Sequence, residues 1–482
     1  MSLLSSTNFL AVMPEALILV LGILVLIIDP FWKEKSRRTN LGWLTAGGLF
    51  AILALVLILD QPGDPVPAWG GMVRFDWLAF SLKIFIIFAG ALTAIFMMDI
   101  DHLGHRAEAY LLLLASLIGM SLMASSGDLI MLYLAIETTS IPLYVLAGFL
   151  LADKFSVESG FKYLLFGAMT SAVLLYGFSL LFGFTGTTNF YTLLGGIETM
   201  TPLVFGLLIF ILVGLAFKIS AVPFHFWAPD VYQGSPTPVA GFLSTASKAA
   251  GFVVLLRLFV IAFPEISFDW TWILAIVSVL TMTLGNFLAL AQKNIKRMLA
   301  YSSIAHAGYI LIGVVAFSES GGTSTMYYIF AYILTNLAAF GAVTAYGRVS
   351  GSDEIKSYSG LSRRSPALAL VMLVAFLSLA GMPPFGGFVA KVFVFTSAIQ
   401  SQWIWLAAVG VLNSIVGLFY YLTVLKYVYL YRAENEEDER QPLPISRPYK
   451  LALIMLSVGI VVLGVILSPW YNLATQAALS IF

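Results

Sequence analysis

Five residues carry the chemistry that this sequence offers. Glu137 stands in GDLIMLYLAIETTSIPLYVLAGF, Lys218 in GLAFKISAVPFHFWAPD, Lys248 in PVAGFLSTASKAAGF, His306 in IKRMLAYSSIAHAGYIL and Lys391 in LSLAGMPPFGGFVAKVFVF. Each is a titratable group inside an apolar run. Glu137 lies nine residues beyond Asp128, Lys248 ten beyond Pro238 and His306 ten beyond Lys296. At about 1.5 Å per helical residue, each sits roughly 14 Å into its run, near the middle of a bilayer. A charge at that depth costs at least about 2.5–3.5 kcal/mol, so several in one chain point to a function.

The chemistry these residue types permit is proton transfer. A lysine in low dielectric can be neutral near pH 7, and a nearby carboxylate restores its charge. At about 4 Å and an effective dielectric near 20, such a pair is worth roughly 4 kcal/mol. Moving one charge through 100 mV takes about 2.3 kcal/mol. Making or breaking one Glu137–Lys218 pair is therefore large enough to drive a proton against a membrane potential. Selective sodium or calcium sites need clustered oxygen ligands, which so few acids among so many lysines do not supply.

The elements that must position these groups are membrane helices. Of 482 residues, 60% are hydrophobic and 10% charged, against about 25% charged in a soluble domain. The apolar runs are continuous rather than alternating, which excludes an outer-membrane barrel. With no cysteine and four histidines, the chain offers no iron–sulfur ligation, no covalent c-type haem and no thiolate zinc site. Neither G-x-G-x-x-G after a strand nor G-x-x-x-x-G-K-[ST] occurs, so no nucleotide, flavin or metal centre is expected on this chain. Net charge is 0 with no basic tail, and nucleic acid is not an expected partner.

Apolar segments at 9–28, 41–59, 76–98, 109–125, 128–151, 161–184, 202–222, 238–262, 270–291, 297–317, 325–347, 366–400, 403–431 and 449–469 predict about 14 spans. The first ends in Asp29-Pro30 and carries Glu15, unlike a cleaved signal peptide. Loop charges test the parse. Lys33, Lys35, Arg37, Arg38, Arg106, Lys154, Lys293, Lys296, Arg297, Arg348, Lys356, Arg363, Arg364, Arg432, Arg440, Arg447 and Lys450 fall on one side. The opposite loops contain no Lys or Arg, and only Arg74 comes close. Positive charge marks the cytoplasmic side, so both termini are expected outside. The acidic stretch Glu434-Asn435-Glu436-Glu437-Asp438-Glu439 reads as a solvated loop, with a partner-docking surface as the alternative.

Two spans are interrupted by proline beside an intramembrane lysine: Lys218 with Pro223, and Lys391 with Pro383 and Pro384. Proline lacks the amide that would bond the carbonyl four residues back. Unpaired backbone at membrane depth persists only inside protein or a hydrated cavity, and such breaks are where transporters handle ions. The breaks lie five spans apart, so the two helices cross in opposite directions. This predicts inverted five-helix repeats at 109–262 and 263–432, after a three-helix segment at 1–108 and before a loop and last span at 433–482.

Each residue also has a plainer reading. Glu137 and Lys218 could be an ion pair that only ties helices together, and Lys248 a packed lysine beside Ser244, Ala249 and Ala250. Lys391 could snorkel to a surface, as could Lys162 near the cytoplasmic end of its span. His306 could bond a carbonyl as a core histidine. His225 follows the first break and could serve a gate or relay. Lys426 reads as snorkelling, Lys83 and Arg257 stay open, and Glu15 lies outside the repeats with no role.

The quoted motifs, with FKISAVPFHFWAPDVYQGSPTPVAGF, resemble the antiporter-like membrane subunits of respiratory complex I, a family shared with Mrp-type cation/proton antiporters. The resemblance covers nearly the whole chain, most clearly about 109–400. Complex I has three antiporter-like branches. One of them typically carries glutamate where Lys391 stands, and another a long C-terminal lateral helix where this chain stops at Phe482. The TASKAAGF context of Lys248 is similar to the third. The resemblance implies an all-α polytopic fold with two inverted five-helix repeats and discontinuous helices seven and twelve. It implies proton translocation through Glu137, Lys218, Lys248 and Lys391, with Lys162, His306 and His225 in support and helix breaks at Pro223, Pro383 and Pro384.

It also implies membrane-arm and peripheral-arm partner subunits in a bacterial inner membrane. NADH, FMN, iron–sulfur clusters and quinone would all sit on those other subunits. The expected activity is thus a share in a proton-translocating NADH–quinone oxidoreductase, with no redox centre on this chain. The alternatives are an antiporter subunit without redox partners, and a membrane scaffold for which Lys248→Ala would be neutral.

Overall fold

The computed structural model describes residues 6–32, 35–193, 197, 199–433 and 442–482. The stretch Glu434–Glu439, Arg440 and the side chains of Lys33, Lys35, Arg37 and Arg38 lie outside the described residues. Thirteen described helices are long and apolar enough to cross a membrane. Two shorter apolar helices, Pro366–Ala380 and Gly386–Gln400, stand beside them.

In chain order the helices are α1 (Met13–Ile28), α2 (Lys35–Leu59), α3 (Trp77–Met98), α4 (Ala107–Ser125), α5 (Leu129–Ala147) and α6 (Lys154–Thr185). Next come α7 (Pro202–Ile219), α8 (Trp227–Gly234), α9 (Thr237–Ala262), α10 (Ser267–Leu290), α11 (Ile295–Val315) and α12 (Glu319–Ser350). The series ends with α13 (Pro366–Ala380), α14 (Gly386–Gln400), α15 (Ile404–Tyr429), α16 (Arg447–Val465) and α17 (Leu467–Leu479). A small antiparallel hairpin, Val66–Ala68 against Val73–Phe75, joins α2 to α3.

Short polar residues set the ends. The Asp76 carboxylate accepts from the Ala79 amide at 2.9 Å, and that of Asp128 from Ile130 at 2.8 Å. Asn294 and Ser318 cap α11 and α12 in the same way. A side-chain acceptor at this position satisfies amides that have no partner in the first helical turn.

Boundaries differ from the sequence reading in several places; α2 and α12, for example, start six residues before the predicted 41 and 325. The predicted span 161–184 begins earlier, at Lys154, because Asp153 caps it. The segment 366–400 is two helices with an unwound stretch between them. Beyond the last span lies α17, whose Trp, Asn, Thr and Gln break the apolar run that reveals a span.

The helices sort by exposure. The most apolar windows of α9 and α12 are entirely buried, and those of α3 and α11 are 94% buried. These inner helices carry Lys248, His306 and Lys83. On the outside, Ile130, Leu134, Ile141 and Val145 make an exposed apolar stripe along α5, at spacings that keep one face of a helix.

One buried ion pair ties the interior to the hairpin end. Arg257 on α9 grips the Asp76 carboxylate with two N–H···O bonds of 2.6 and 2.8 Å. Its remaining bonds go to the Tyr191 hydroxyl at 2.9 Å and the Ala124 carbonyl at 2.9 Å. Arg257, left open by the sequence, is thus a structural charge neutralised by Asp76, with only its Nε lacking a hydrogen-bond partner. We predict that Arg257→Leu, which strands a buried carboxylate, destabilises the protein by about 3–5 kcal/mol. Adding Asp76→Asn, which keeps the cap, should recover much of the loss in a thermal-melting assay.

Candidate functional site

The first break is built around Lys218. Helix α7 ends at Ile219, and Ser220 adopts the left-handed conformation with φ 57°. Pro223 cannot continue the ladder. The unwound backbone is satisfied by its neighbours, as it must be at membrane depth. The Val222 amide donates to the Thr281 hydroxyl on α10 at 3.0 Å, and the Trp227 indole to the Phe217 carbonyl at 3.2 Å.

Lys218 sits in the last turn of α7, where the negative end of the helix dipole favours an ammonium. Its Nζ donates to Ser140 Oγ on α5 at 2.8 Å. Glu137, one turn before Ser140, accepts instead from the Ser171 hydroxyl of α6. The expected Glu137–Lys218 pair is therefore not a contact pair. Glu137 is half-buried beside the apolar stripe of α5, and it acts on Lys218 at longer electrostatic range.

Lys248 follows a π-helical turn, Leu243–Ser247, inside α9. Such turns shift the helix by one residue and frequently mark functional sites. The Lys248 Nζ donates to Ser303 Oγ on α11 at 2.7 Å and lies 5.8 Å from the centre of the Tyr232 ring. One turn on, Gly251 lets α7 come close. A Cβ there would stand 3.2 Å from Lys218 Cγ and 2.9 Å from Ile219 Cγ2.

From Lys248 a file of hydroxyls leads into the second half. Ser302, beside Ser303, hydrogen-bonds the Tyr421 hydroxyl of α15. Tyr421 also meets His306 Nε2 at 3.2 Å, and Tyr328 of α12 meets His306 Nδ1 at 2.8 Å. His306 thus bonds tyrosines rather than the carbonyl that a core histidine would take. It lies within electrostatic reach of both Lys248 and Lys391.

The second break mirrors the first in its parts. Helix α13 ends at Gly381, with φ 82°, and α14 starts five residues later. Lys391, on α14, reaches back to the open end of α13. Its Nζ donates to the carbonyls of Leu379 at 3.1 Å and Ala380 at 3.0 Å, and to Ser414 Oγ at 2.8 Å. It also lies 5.0 Å from the Tyr309 ring centre. The ammonium occupies the negative end of a half-helix, a recurring way to hold a cation where a helix is broken.

Among the described residues, none of Lys218, Lys248 and Lys391 is within ion-pair distance of a carboxylate; each faces a serine hydroxyl instead. The cations that tie helices together differ. Arg257 pairs with Asp76, Lys296 with Asp353 at 2.8 Å, and Lys162 with Asp230 and Glu158, both at 2.7 Å. Lys162, in the N-terminal half of α6, is one-third exposed. His225 is buried just after the first break with Nδ1 lacking a hydrogen-bond partner, within electrostatic reach of Lys248. No cluster of three or more His, Asp or Glu suited to a metal occurs among the described residues.

Sequence reasoning missed Ser140, Ser171, Ser303, Ser414, Tyr328 and Tyr421. Only Ser140 left a signal, at i+3 from Glu137 on the same helix face.

Residues 126–417 match the family described as NADH:quinone oxidoreductase/Mrp antiporter, TM. The chain is 43% identical over 472 residues to the NADH-quinone oxidoreductase subunit N of Moorella thermoacetica, covering 97% of this chain and 98% of that one. Its fold is similar to a chain of respiratory complex I from Thermus thermophilus, with TM-score 0.79, 33% identity, and 94% and 97% of the two chains covered. The Mrp complex of Dietzia gives TM-score 0.86 at 22% identity, covering 98% of this chain and 97% of that one. At that identity the likeness concerns the fold alone.

Gly381 closes α13 in a left-handed conformation that disfavours any side chain. Its φ is 82°, and a Cβ would meet Lys391 Cδ at 2.8 Å. We predict that Gly381→Ala costs about 1–2 kcal/mol from the left-handed backbone alone. A thermal melt of the solubilised protein would read this loss.

Proposed function

We propose a function from one premise: the chain belongs to the antiporter-like membrane family of respiratory complex I, and within it to NADH-quinone oxidoreductase subunit N. It is a multi-pass membrane subunit of that complex and takes part in proton translocation. In our reading, the proton route runs through Glu137, Lys218, Lys248 and Lys391, with His306 as a relay between the last two. His225 lies beside the route at the first break. Lys162 serves as an inner-side charge that anchors α8 to α6 through Asp230.

The observation that carries this reading is the partnering of the three lysines by serine. A buried cation that only staples helices together is best held by a carboxylate, as Arg257 is. A buried ammonium without one is held weakly in its charged form, so it can give its proton away and take it back. Hydroxyls both donate and accept, which suits them to pass protons between such lysines. Glu137, in electrostatic reach of Lys218, biases that lysine toward the charged form when ionised. A change in Glu137, in its charge or in its neighbours, thus alters whether Lys218 keeps its proton.

Energy for the cycle comes from electron transfer between NADH and quinone on the other subunits, which hold FMN and the iron–sulfur clusters. No residue here is assigned to quinone. A photolabelled quinone analogue crosslinking to this chain would overturn that assignment. The inverted repeats, at 109–262 and 263–432, place a broken helix in each half. The loop charges favour a bacterial inner membrane with both termini on the periplasmic side.

Lys248→Ala tests the reading in membranes carrying the assembled complex. Proton pumping and NADH–quinone turnover should fall together by about tenfold or more, since each 1.36 kcal/mol added to a barrier is tenfold. Unchanged pumping with normal assembly would leave Lys248 a packing residue. Ser303→Ala should lower turnover less, and Ser303→Thr, which keeps the hydroxyl, should restore it.

A further inference from the structure

A second buried charge cluster lies outside the repeats, among the first four membrane helices. Glu15, in the first turn of α1, is 6% exposed, Lys83 on α3 is 2% exposed, and Asp60, just after α2, is 1% exposed. Lys83 Nζ stands 2.9 Å from Glu15 Oε1 and donates to the Ala11 carbonyl at 3.0 Å. The Ser121 hydroxyl of α4 donates to the same Glu15 oxygen at 2.5 Å. Glu15 Oε2 and Asp60 Oδ1 are both buried with no hydrogen-bond partner. Asp60 feels the charges of both Lys83 and Glu15.

We propose that Glu15, Asp60 and Lys83, with Ser121, form a proton-binding station that holds one proton between two carboxylates and exchanges it with the membrane face poor in Lys and Arg.

The charge balance carries this. A pair that merely fastens α1 to α3 needs one carboxylate for its ammonium. Here a second buried carboxylate, Asp60, lies within electrostatic reach of the first, and the fully ionised cluster would bear one uncompensated negative charge. A buried net charge is costly, and a shared proton removes it. A proton on either carboxyl cancels that net charge and lowers the cost of its unpartnered buried oxygen. The titratable groups facing one another are Glu15 from α1, Asp60 from the end of α2 and Lys83 from α3, with the Ser121 hydroxyl from α4.

Burial pushes the Asp60 carboxyl up to about 7. The sign follows directly: below that pH the cluster keeps its proton, and above it the proton leaves and the cluster becomes negative. Position suits exchange with one side. Glu15 opens α1, Asp60 follows α2, and Lys83 lies in the second turn of α3. These ends gather at the face whose loops carry, of Lys and Arg, only Arg74. The helix carrying Lys83 also packs against the π-helical turn that precedes Lys248.

The test uses the assembled complex with Asp60→Asn, Glu15→Gln and Lys218→Ala. Infrared spectra should show a protonated-carboxyl stretching band near neutral pH that titrates away as pH rises, and that Asp60→Asn or Glu15→Gln abolishes. Pumping measured between about pH 6 and 9 should lose its alkaline fall in Asp60→Asn. If the band and the pH profile survive both acid variants, the cluster is a structural ion pair and the proposal fails. Asp60→Asn keeps the test decisive should Glu15→Gln not assemble, because no contact pair is broken at Asp60. The band is read independently of Lys218, so its persistence in Lys218→Ala supports this station whatever that variant does to pumping.

Discussion

The cost of an ammonium without a counter-ion inside a membrane shapes this protein. Lys218, Lys248 and Lys391 are each nearly fully buried and each rests on a serine hydroxyl. Two of them also use the open end of a half-helix, Lys218 within it and Lys391 reaching back to it. Those ends exist because the helices are broken, and the breaks persist because Thr281, Trp227 and Lys391 take up freed backbone groups. Burial, break and partner are thus one arrangement. Filling any of these sites with a carboxylate would fix the proton in place.

Cations held by carboxylates and cations held by hydroxyls are kept apart in the structure. Arg257 with Asp76, and Asp230 between Lys162 and Arg297, sit toward the helix ends and bind elements together. Burial opposes ionisation of Asp230, yet the hydrogen bonds from Lys162 and Arg297 outweigh it and hold the carboxyl below its ordinary range. It therefore stays charged through the physiological range. The interior lysines Lys218, Lys248 and Lys391 have only neutral hydrogen-bond partners among the described residues, and Tyr421 links Ser302 to His306 beside Lys248. That contrast, more than the mere presence of intramembrane charge, distinguishes a route from a scaffold.

Much of the fold was legible in the sequence because membrane spans are read by length and hydropathy, and loop charges check the parse. The breaks at Pro223 and Pro383-Pro384 were legible because proline removes a backbone donor wherever it stands. The partners of the lysines and of His306 were not. Ser303, Ser414 and Tyr421 lie on helices distant in sequence, and a contact between two helices leaves no spacing in either. The Glu137–Lys218 contact pair was expected from attraction alone; Ser140 lies nearer to the ammonium, and Ser171 takes the carboxylate. Glu15 was given no role because its partner Lys83 lies 68 positions away, across α2. The amphipathic α17 was missed because hydropathy finds spans and overlooks helices at the membrane edge.

The most direct test of the route is Lys218→Ala, with assembly of the complex verified and proton pumping measured beside NADH–quinone oxidoreductase activity in the same membranes. The account predicts that both fall together, because a coupled pump cannot turn over when a station on its route is lost. Assembly with both activities unchanged would make Lys218 a structural charge and contradict the assignment of the buried lysines to proton transfer.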